Sequence, residues 1–508
     1  MLRSIFSNWL ALAVTGLTYI LLTPILIHGL GDFYYGMWVL VVSVLDYYGL
    51  LDMGMRWTFF RFVARFNGAN DRVALNQTFT TALALAAVIG VFLIALTLSL
   101  VILLPSFFKL AGHERHVFQW LVSLLGLSVA VTFPTQLLGA FLRGFQRFDL
   151  DNVGLVFSTL VRAGLLAAVV HWGYGVVAVS AVTLIIAVLS LPLYWKLVRC
   201  AKPDLSLCSE LPGWTRIREL VSYSFYVFVN NGGEYLRFYT DSVVIARILG
   251  VALITPFSIA TRFLTYFRMI VQAVNGPVMT EISELDGQGK EKEVQGLFLR
   301  ATRSMAVLSL FLGLILLLDG QALIRVWLGA QFLSSYPLLL VLTIGYVVHF
   351  AQEPCRMVIF AQARYHRILS WWTLAEGLSN LLLSIYWGKR YGLFGVALGT
   401  TVPLVLVKIS VQPWYALRAL KLSAWYYVVK ALCLPIIVSG LFAGFCFLVQ
   451  VSGGGILELL WTMCWQSILF ALLVYSLILS HAERQSLWRL CRQFAFSRRS
   501  VRVPSRVF

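Results

Sequence analysis

The residues able to do chemistry in this chain stand where a hydrophobic sequence tolerates them least. Asn230, Glu234, Arg237 and Asp241 fall at i, i+4, i+7 and i+11, a spacing that puts all four on one face of a helix. Phe225, Phe228 and Val243 flank them, so an amide, two carboxylates and a guanidinium share an otherwise apolar segment. An ionised group at the centre of a membrane helix costs about 2.5–3.5 kcal/mol on insertion scales, so it turns toward a partner or a wet cavity. Two arrangements satisfy the stripe. One is a water-filled centre; the other is an internal Glu234–Arg237–Asp241 ladder that only holds the helix together. The length of the stripe favours the cavity, because a ladder facing lipid would still be costly.

Other segments repeat the pattern. Ser258, Arg262, Thr265 and Gln272 lie on roughly one side of the next hydrophobic segment, with Arg268 turned elsewhere, and His349, Glu353 and Arg356 are spaced i, i+4 and i+7. Earlier in the chain come Asp46, Asp52, Arg56 and Arg162, and later Glu376. Guanidinium groups pair with phosphate or carboxylate through two parallel hydrogen bonds, so basic residues in a cavity suit an anionic cargo. Arg56, Arg162, Arg237, Arg262 and Arg268 are the candidate cargo-binding residues. Asn230, Glu234, Asp241, His349 and Glu353 are candidate charge partners or cation-coupling groups. Arg56, Arg61, Arg247 and Arg356 lie near segment ends, where an arginine can instead extend its head to the headgroups. His349 alone reads more simply as a packed, hydrogen-bonded histidine than as a proton relay.

The elements that position these groups are membrane helices. Of the 508 residues 60% are hydrophobic and 12% charged, and the mean hydropathy is +0.83, which excludes an ordinary soluble domain. Runs such as Ala82 to Leu104 and Leu121 to Phe141 approach or exceed the length needed to cross the hydrocarbon core. The pattern predicts an all-α polytopic membrane protein of about 14 transmembrane helices. The net charge of +18 is explained by where the basic residues sit. With the N-terminus inside, 30 of the 40 Lys and Arg fall in or beside cytoplasmic segments, which is the positive-inside pattern and not a nucleic-acid footprint. Both termini are expected in the cytoplasm, and the segment from Arg3 to Ile27, without a small-residue cleavage pattern, reads as a retained first helix. Seven scattered cysteines predict neither a disulfide nor a metal site, and no cofactor is expected.

Repetition suggests two lobes. At an offset of 217 to 219 residues, Leu30-Gly31 falls on Leu249-Gly250, Arg147-Phe148 on Arg364-Tyr365, and Tyr174-Gly175 on Tyr391-Gly392, as in transporters built from parallel repeats. The expected organisation is a six-helix lobe over residues 1–198, a cytoplasmic linker at 199–218, and a second six-helix lobe over 219–415. A helix pair at 416–480 follows, with a polar Ser452 to Gly455 turn, and a basic cytoplasmic tail at 481–508.

Particular residues also carry a resemblance. Leu30-Gly31, Tyr35-Gly36-Met37-Trp38, Leu50-Leu51-Asp52-Met53-Gly54-Met55 and Arg61 resemble the start of the polysaccharide transporters, the Wzx-like O-antigen flippases of the multidrug/oligosaccharidyl-lipid/polysaccharide (MOP) superfamily. Leu142-Arg143-Gly144-Phe145-Gln146-Arg147-Phe148 is similar to that family's loop between helices four and five. Ala260-Thr261-Arg262 and Gly395-Val396-Ala397-Leu398-Gly399-Thr400 are similar to its later repeat. Ile254-Thr255-Pro256-Phe257 departs from the Tyr-Gly-Met-Trp pattern. The resemblance implies a two-lobed, V-shaped bundle in a bacterial inner membrane. Such a bundle alternates between inward-open and outward-open states while moving an undecaprenyl-diphosphate-linked oligosaccharide to the periplasmic leaflet. The implied partners are that lipid-linked oligosaccharide, membrane lipid, a coupling H+ or Na+, and a glycan polymerase or glycosyltransferases of the same pathway.

Other readings compete with this one. A peptidoglycan-precursor flippase or a drug/cation exporter would share the superfamily, and a cation exporter should prefer an acidic cavity. A membrane glycan polymerase or ligase usually needs a large external loop with catalytic groups. The longest external stretch here, Asp319 to Ser335, offers Arg325 and no acid or histidine beyond Asp319. Walker, Rossmann and HExxH motifs are absent, so an enzyme is not expected.

Overall fold

Apolar segments in lipid must satisfy every backbone N–H and C=O internally, which leaves helix as the only open option for a chain like this. The computed structural model describes residues 2–52, 54–207, 214–362, 365–449, 455–481, 483–485 and 488, and it is helical throughout. Met53, the 208–213 part of the linker with Cys208, Arg364, the 450–454 turn, and Cys491 with nearly all of the basic tail lie outside the described residues. The Phe225 side chain does too.

The helices are α1 (Leu2–Asp46), α2 (Met55–Gly68), α3 (Arg72–Phe107), α4 (Gly112–Gly144), α5 (Phe148–His171), α6 (Val176–Ala201), α7 (Trp214–Ile248) and α8 (Ile254–Gly287). They continue with α9 (Glu291–Trp327), α10 (Tyr336–Ala351), α11 (Glu353–Ala361), α12 (His366–Leu406), α13 (Gln412–Leu420), α14 (Ala424–Tyr427), α15 (Leu434–Leu448) and α16 (Ile456–Leu473). Among the described residues ten helical stretches are long and apolar enough to cross a membrane. Two of those are double, because α1 bends at Gly31 (φ 73°, ψ 166°) and α12 at Gly392 (φ 61°, ψ −141°). The charged α7 and α8 complete fourteen spans among the described residues. The chain is a multi-pass membrane protein.

Past Ile27, where the sequence predicts the end of the first helix, α1 runs on and bends at a single residue. Gly31 and Gly250, matched by the internal repeat, adopt the same left-handed extended backbone, Gly250 at φ 108° and ψ 155°. Side-chain-bearing residues avoid that region. Gly392 is also left-handed, whereas its partner Gly175 is not (φ −78°).

The chain forms two compact units. The first comprises residues 1–266, 334–345 and 365–407. Its aromatic centre is Phe141 of α4, with Phe79 of α3 edge-on at 5.2 Å and Phe59 of α2 stacked at 6.3 Å. Outward positions on α3 such as Val88 and Val91 are 67% and 68% exposed, as lipid-facing residues should be. Elsewhere in this unit α7 packs closely on α12. A Cβ on Gly377 would stand 2.6 Å from the Gly233 carbonyl oxygen, and one on Gly233 would run into the Thr373 backbone. Small residues let two backbones approach this closely in lipid, where packing and not water exclusion drives association.

The second unit comprises residues 267–333, 346–364 and 408–508. Phe311 of α9 stacks on Phe470 of α16 at 4.7 Å, and Phe442 of α15 meets the same ring at 5.1 Å. The break between α10 and α11 is filled by a buried network. Tyr427 Oη donates to Gln352 Oε1 at 2.6 Å, and Gln412 Nε2 donates to the Gln352 carbonyl at 2.7 Å. Beyond α16, Arg303 of α9 pairs with Glu483. The five described cysteines are free thiols.

Candidate functional site

Three arginines line one cavity of about 660 Å³ enclosed by α1, α2, α4, α5 and α6, in the first unit. Each is held differently. Arg56, the second residue of α2, donates from Nε to Asp52 Oδ2 at 3.1 Å. Arg143, in the last turn of α4, donates to Asp151 Oδ2 at 2.6 Å, and Gly139 leaves room for that acid, since a Cβ there would lie 2.9 Å from Asp151 Oδ1. Arg162, mid-way along α5, donates from Nη2 to the Tyr19 hydroxyl at 2.7 Å and lies 5.7 Å from that ring's centre. Among the described residues it makes no ion pair, so the cavity carries an uncompensated positive charge. Thr135, Gln136, Ser158 and Thr159 add neutral hydrogen-bonding groups to the wall. A guanidinium on a cavity wall favours an anion with several oxygens, above all a phosphate.

Arg262 of α8 adjoins this site through α1. It hydrogen-bonds Tyr35, with Tyr266 and Tyr19 in electrostatic reach, and the Tyr266 and Thr23 hydroxyls are 3.3 Å apart. Tyr19 thus touches Arg162 and faces Arg262.

The stripe on α7 does share one face, but its partners come from α12. Arg237 is 2% exposed and donates from Nη1 to Glu376 Oε1 at 2.5 Å, with Glu234 Oε1 4.0 Å from its Nη2. One helical turn on, Asp241 accepts from Thr400 Oγ1 at 2.7 Å and from Ser384 Oγ at 3.3 Å. Asn380 Oδ1 lies 3.5 Å and the Val396 carbonyl 3.3 Å from that serine hydroxyl. Five oxygen-bearing groups converge, the donor type that hard cations prefer. Asn230 is buried, and its Oδ1 has no hydrogen-bond partner among the described residues.

The remaining candidates belong to the second unit. Glu353 begins α11 and accepts from Arg356 Nε at 2.8 Å. His349 is buried against the Phe350 ring at 5.0 Å and edge-on to Tyr346 at 6.3 Å. Arg268 is half-buried on α8. The structure therefore gathers Arg56 and Arg162 in one cavity, brings Arg262 beside it, and gives Arg237 a carboxylate.

Arg143 and Lys408 are among the residues that escape the sequence reading. Arg143 belongs to the Leu142–Phe148 segment, which identifies a loop; its proximity to Asp151 follows the helical turn that closes that loop. Lys408 is 2% exposed in a π turn over Val407–Val411. Such turns recur at functional positions in helices, and a cation just before Gln412 and Pro413 gave no periodic signal of its own.

Comparison with known proteins agrees with this architecture. Residues 34–337 match the sequence profile of a family described as "Polysaccharide biosynthesis protein". A Shigella flexneri relative named "Putative O-antigen transporter" is 22% identical over 392 residues, spanning 77% of this chain and 91% of the relative. Among solved structures, the lipid II flippase MurJ in an inward closed conformation superposes with a TM-score of 0.69 at 13% identity, over 94% of this chain and 99% of that one. An inward-facing MATE family multidrug resistance transporter of the MOP superfamily gives 0.61 at 16% identity, over 80% and 95%. At these identities the structural likeness establishes the fold. With the family profile matching more than half of its length, the chain belongs to the polysaccharide biosynthesis protein family and has the MOP superfamily fold.

Proposed function

We propose that this protein is a flippase, not an enzyme, that carries an undecaprenyl-diphosphate-linked oligosaccharide across a bacterial inner membrane by alternating access. The observation that carries the reading is the arginine cavity, with Arg162 held by a tyrosine hydroxyl and no acid. A diphosphate is the part of such a cargo that most needs a partner inside the membrane, because its charges are costly in hydrocarbon. Arg56 and Arg143 can exchange Asp52 and Asp151 for phosphate oxygens, while Arg162 has no ion pair to surrender. The family and the O-antigen relative support a glycan cargo. A drug or cation exporter fits less well, since the cavity's arginines outnumber its one carboxylate.

In this reading Asp241 takes the coupling cation, a proton or Na+, with Thr400, Ser384, Asn380 and the Val396 carbonyl as its companions. Both termini lie in the cytoplasm, and the pathway's glycosyltransferases and polymerase act before and after transport.

The test is transbilayer movement of a labelled undecaprenyl-diphosphate oligosaccharide in proteoliposomes of the purified protein. Wild type should expose the glycan on the opposite leaflet, faster under a proton or sodium gradient, and Arg162→Ala, confirmed as folded, should slow it at least about tenfold, the effect of losing one charged hydrogen bond. Unchanged movement by Arg162→Ala would remove the arginine cavity as the cargo site. No movement by wild type across several glycans would remove the flippase reading itself.

A further inference from the structure

Beside the arginine cavity lies a group of side chains of different chemistry. Tyr47 follows α1 in a 3-10 turn over Tyr47–Asp52, and Tyr235 and Tyr239 stand one turn apart on α7. Their rings form a triangle with centres 5.2, 6.0 and 6.3 Å apart. The cluster is built and not incidental. Tyr47 Oη hydrogen-bonds Thr240 at 2.5 Å, and Gly49 carries no side chain where Tyr235 Oη sits against it, so that any Cβ there would collide. All three rings are only half-buried, as are Asp46 and Glu234.

Asp46, Arg56, Asp52 and Glu234 all lie in electrostatic reach of the Tyr235 hydroxyl. Arg56 is also a wall residue of the arginine cavity, so the tyrosines and the cationic cavity share an edge. Aromatic faces take up the C–H faces of pyranose rings, with the phenol as a polar handle, and carboxylates accept hydrogen bonds from sugar hydroxyls. The same carboxylates repel a negatively charged ring.

We infer that Tyr47, Tyr235 and Tyr239, with Asp46 and Glu234, form a glycan-reading subsite adjoining the diphosphate site, and that it selects a neutral or amino sugar next to the diphosphate over a uronic acid. The inference rests on the flippase reading above. Arginines hold the phosphates, tyrosines stack on the first sugars, and the two carboxylates set the sign of charge that the sugar carries.

The experiment measures binding of three probes to the full-length protein in nanodiscs: undecaprenyl diphosphate, and the same lipid bearing N-acetylglucosamine or galacturonic acid. Wild type should bind the N-acetylglucosamine lipid about tenfold more tightly than the bare lipid, and the galacturonate lipid no better than the bare one. Tyr239→Leu should collapse that tenfold ratio toward one, and Tyr239→Phe, which keeps the ring, should restore most of it. Glu234→Gln should raise galacturonate binding relative to N-acetylglucosamine. Equal binding of all three lipids by wild type, or an unchanged ratio in Tyr239→Leu, overturns the subsite while leaving the diphosphate site standing. Binding of none of the three fails the flippase reading instead. A variant that does not fold is replaced by Tyr235→Leu, for which the same ratio decides.

Discussion

The Arg237–Glu376 pair offers the sharpest test of what the α7 stripe does. Both side chains are 2% exposed and 2.5 Å apart, so removing one partner strands a charge away from water, which costs about 3–5 kcal/mol in buried pairs. The geometry predicts an asymmetry. Glu376→Gln leaves Arg237 with Glu234 only 4.0 Å away and 34% exposed, able to close the gap, so its cost should fall to about 2 kcal/mol, within the range for a hydrogen bond to a charged group. Arg237→Met strips Glu376 of its guanidinium and should cost the full amount, about 4 kcal/mol. The double variant Arg237→Met with Glu376→Met should return to within about 1 kcal/mol of wild type, since apolar replacement of a buried pair is often neutral or better. Equilibrium unfolding of wild type, Arg237→Met, Glu376→Met and the double variant in mixed SDS and dodecyl maltoside micelles gives the coupling energy directly, with Glu376→Gln measured beside them. Additive single effects, or singles under about 1 kcal/mol, would refute the argument that this pair is a buried electrostatic lock. Flipping by the double variant separates packing from transport. A folded double variant that still transports makes Arg237 a packing residue of α7 on α12; one that is folded but inactive returns it to the cargo path.

Three further outcomes concern other parts of the molecule. Gly31→Ala and Gly250→Ala should each cost about 1–3 kcal/mol in the same unfolding assay, because both glycines occupy a left-handed extended region closed to a Cβ, whereas Gly16→Ala, with open space around it, should cost nothing; a neutral Gly31→Ala would sink the claim. Asp241→Asn should leave the protein folded, with the Thr400 hydrogen bond retained, but remove any dependence of flipping on a proton or sodium gradient, and gradient-driven flipping at the wild-type rate would exclude Asp241 as the coupling group. Burial by itself pushes the Glu483 carboxyl up, but the Ser480 backbone N–H and hydroxyl and the charges of Arg303 and Arg300 outweigh it and hold the group below the ordinary carboxylate value. A depressed folded value means stabilisation that is present above the unfolded value of 4.5 and lost as pH falls below it; spin-label distances from α9 to the segment after α16 should lengthen over that acidic range, and Glu483→Gln should abolish the transition.

The spans are readable because hydrocarbon imposes one rule on every helix, and apolar runs of sufficient length obey it wherever they fall. The connections between spans are less constrained. The internal repeat marks Leu30-Gly31 and Tyr391-Gly392, but it does not report that a single left-handed glycine at each place bends α1 and α12. The face of α7 is legible from spacing alone, since periodicity reports which residues of one helix share a side. It does not report what lies opposite, and Glu376, Ser384 and Thr400 come from more than 130 residues downstream. Arg143 and Asp151 illustrate the same gap over a shorter distance. Each sits beside a loop, where an ionisable residue carries no cost that would draw notice, and only the turn between α4 and α5 makes them neighbours. The tyrosine triangle is likewise hidden, because aromatics are abundant at membrane interfaces and nothing in their count distinguishes three that meet.

The clasp around Asp241 has a consequence for how the chain is made. Ser384 and Thr400 stand on opposite limbs of α12, either side of the bend at Gly392, and both donate to one carboxylate on α7. During synthesis α7 emerges first, carrying Arg237 and Asp241, while the groups that satisfy them follow 139 to 159 residues later. At about 5–20 residues per second the interval is roughly 7–30 s. Throughout that interval α7 holds two charges for which its own hydropathy makes no allowance, and its insertion is completed by a hairpin that does not yet exist. The fold of this half of the protein is therefore a late event, closed by α12 and not by the order in which its helices leave the ribosome.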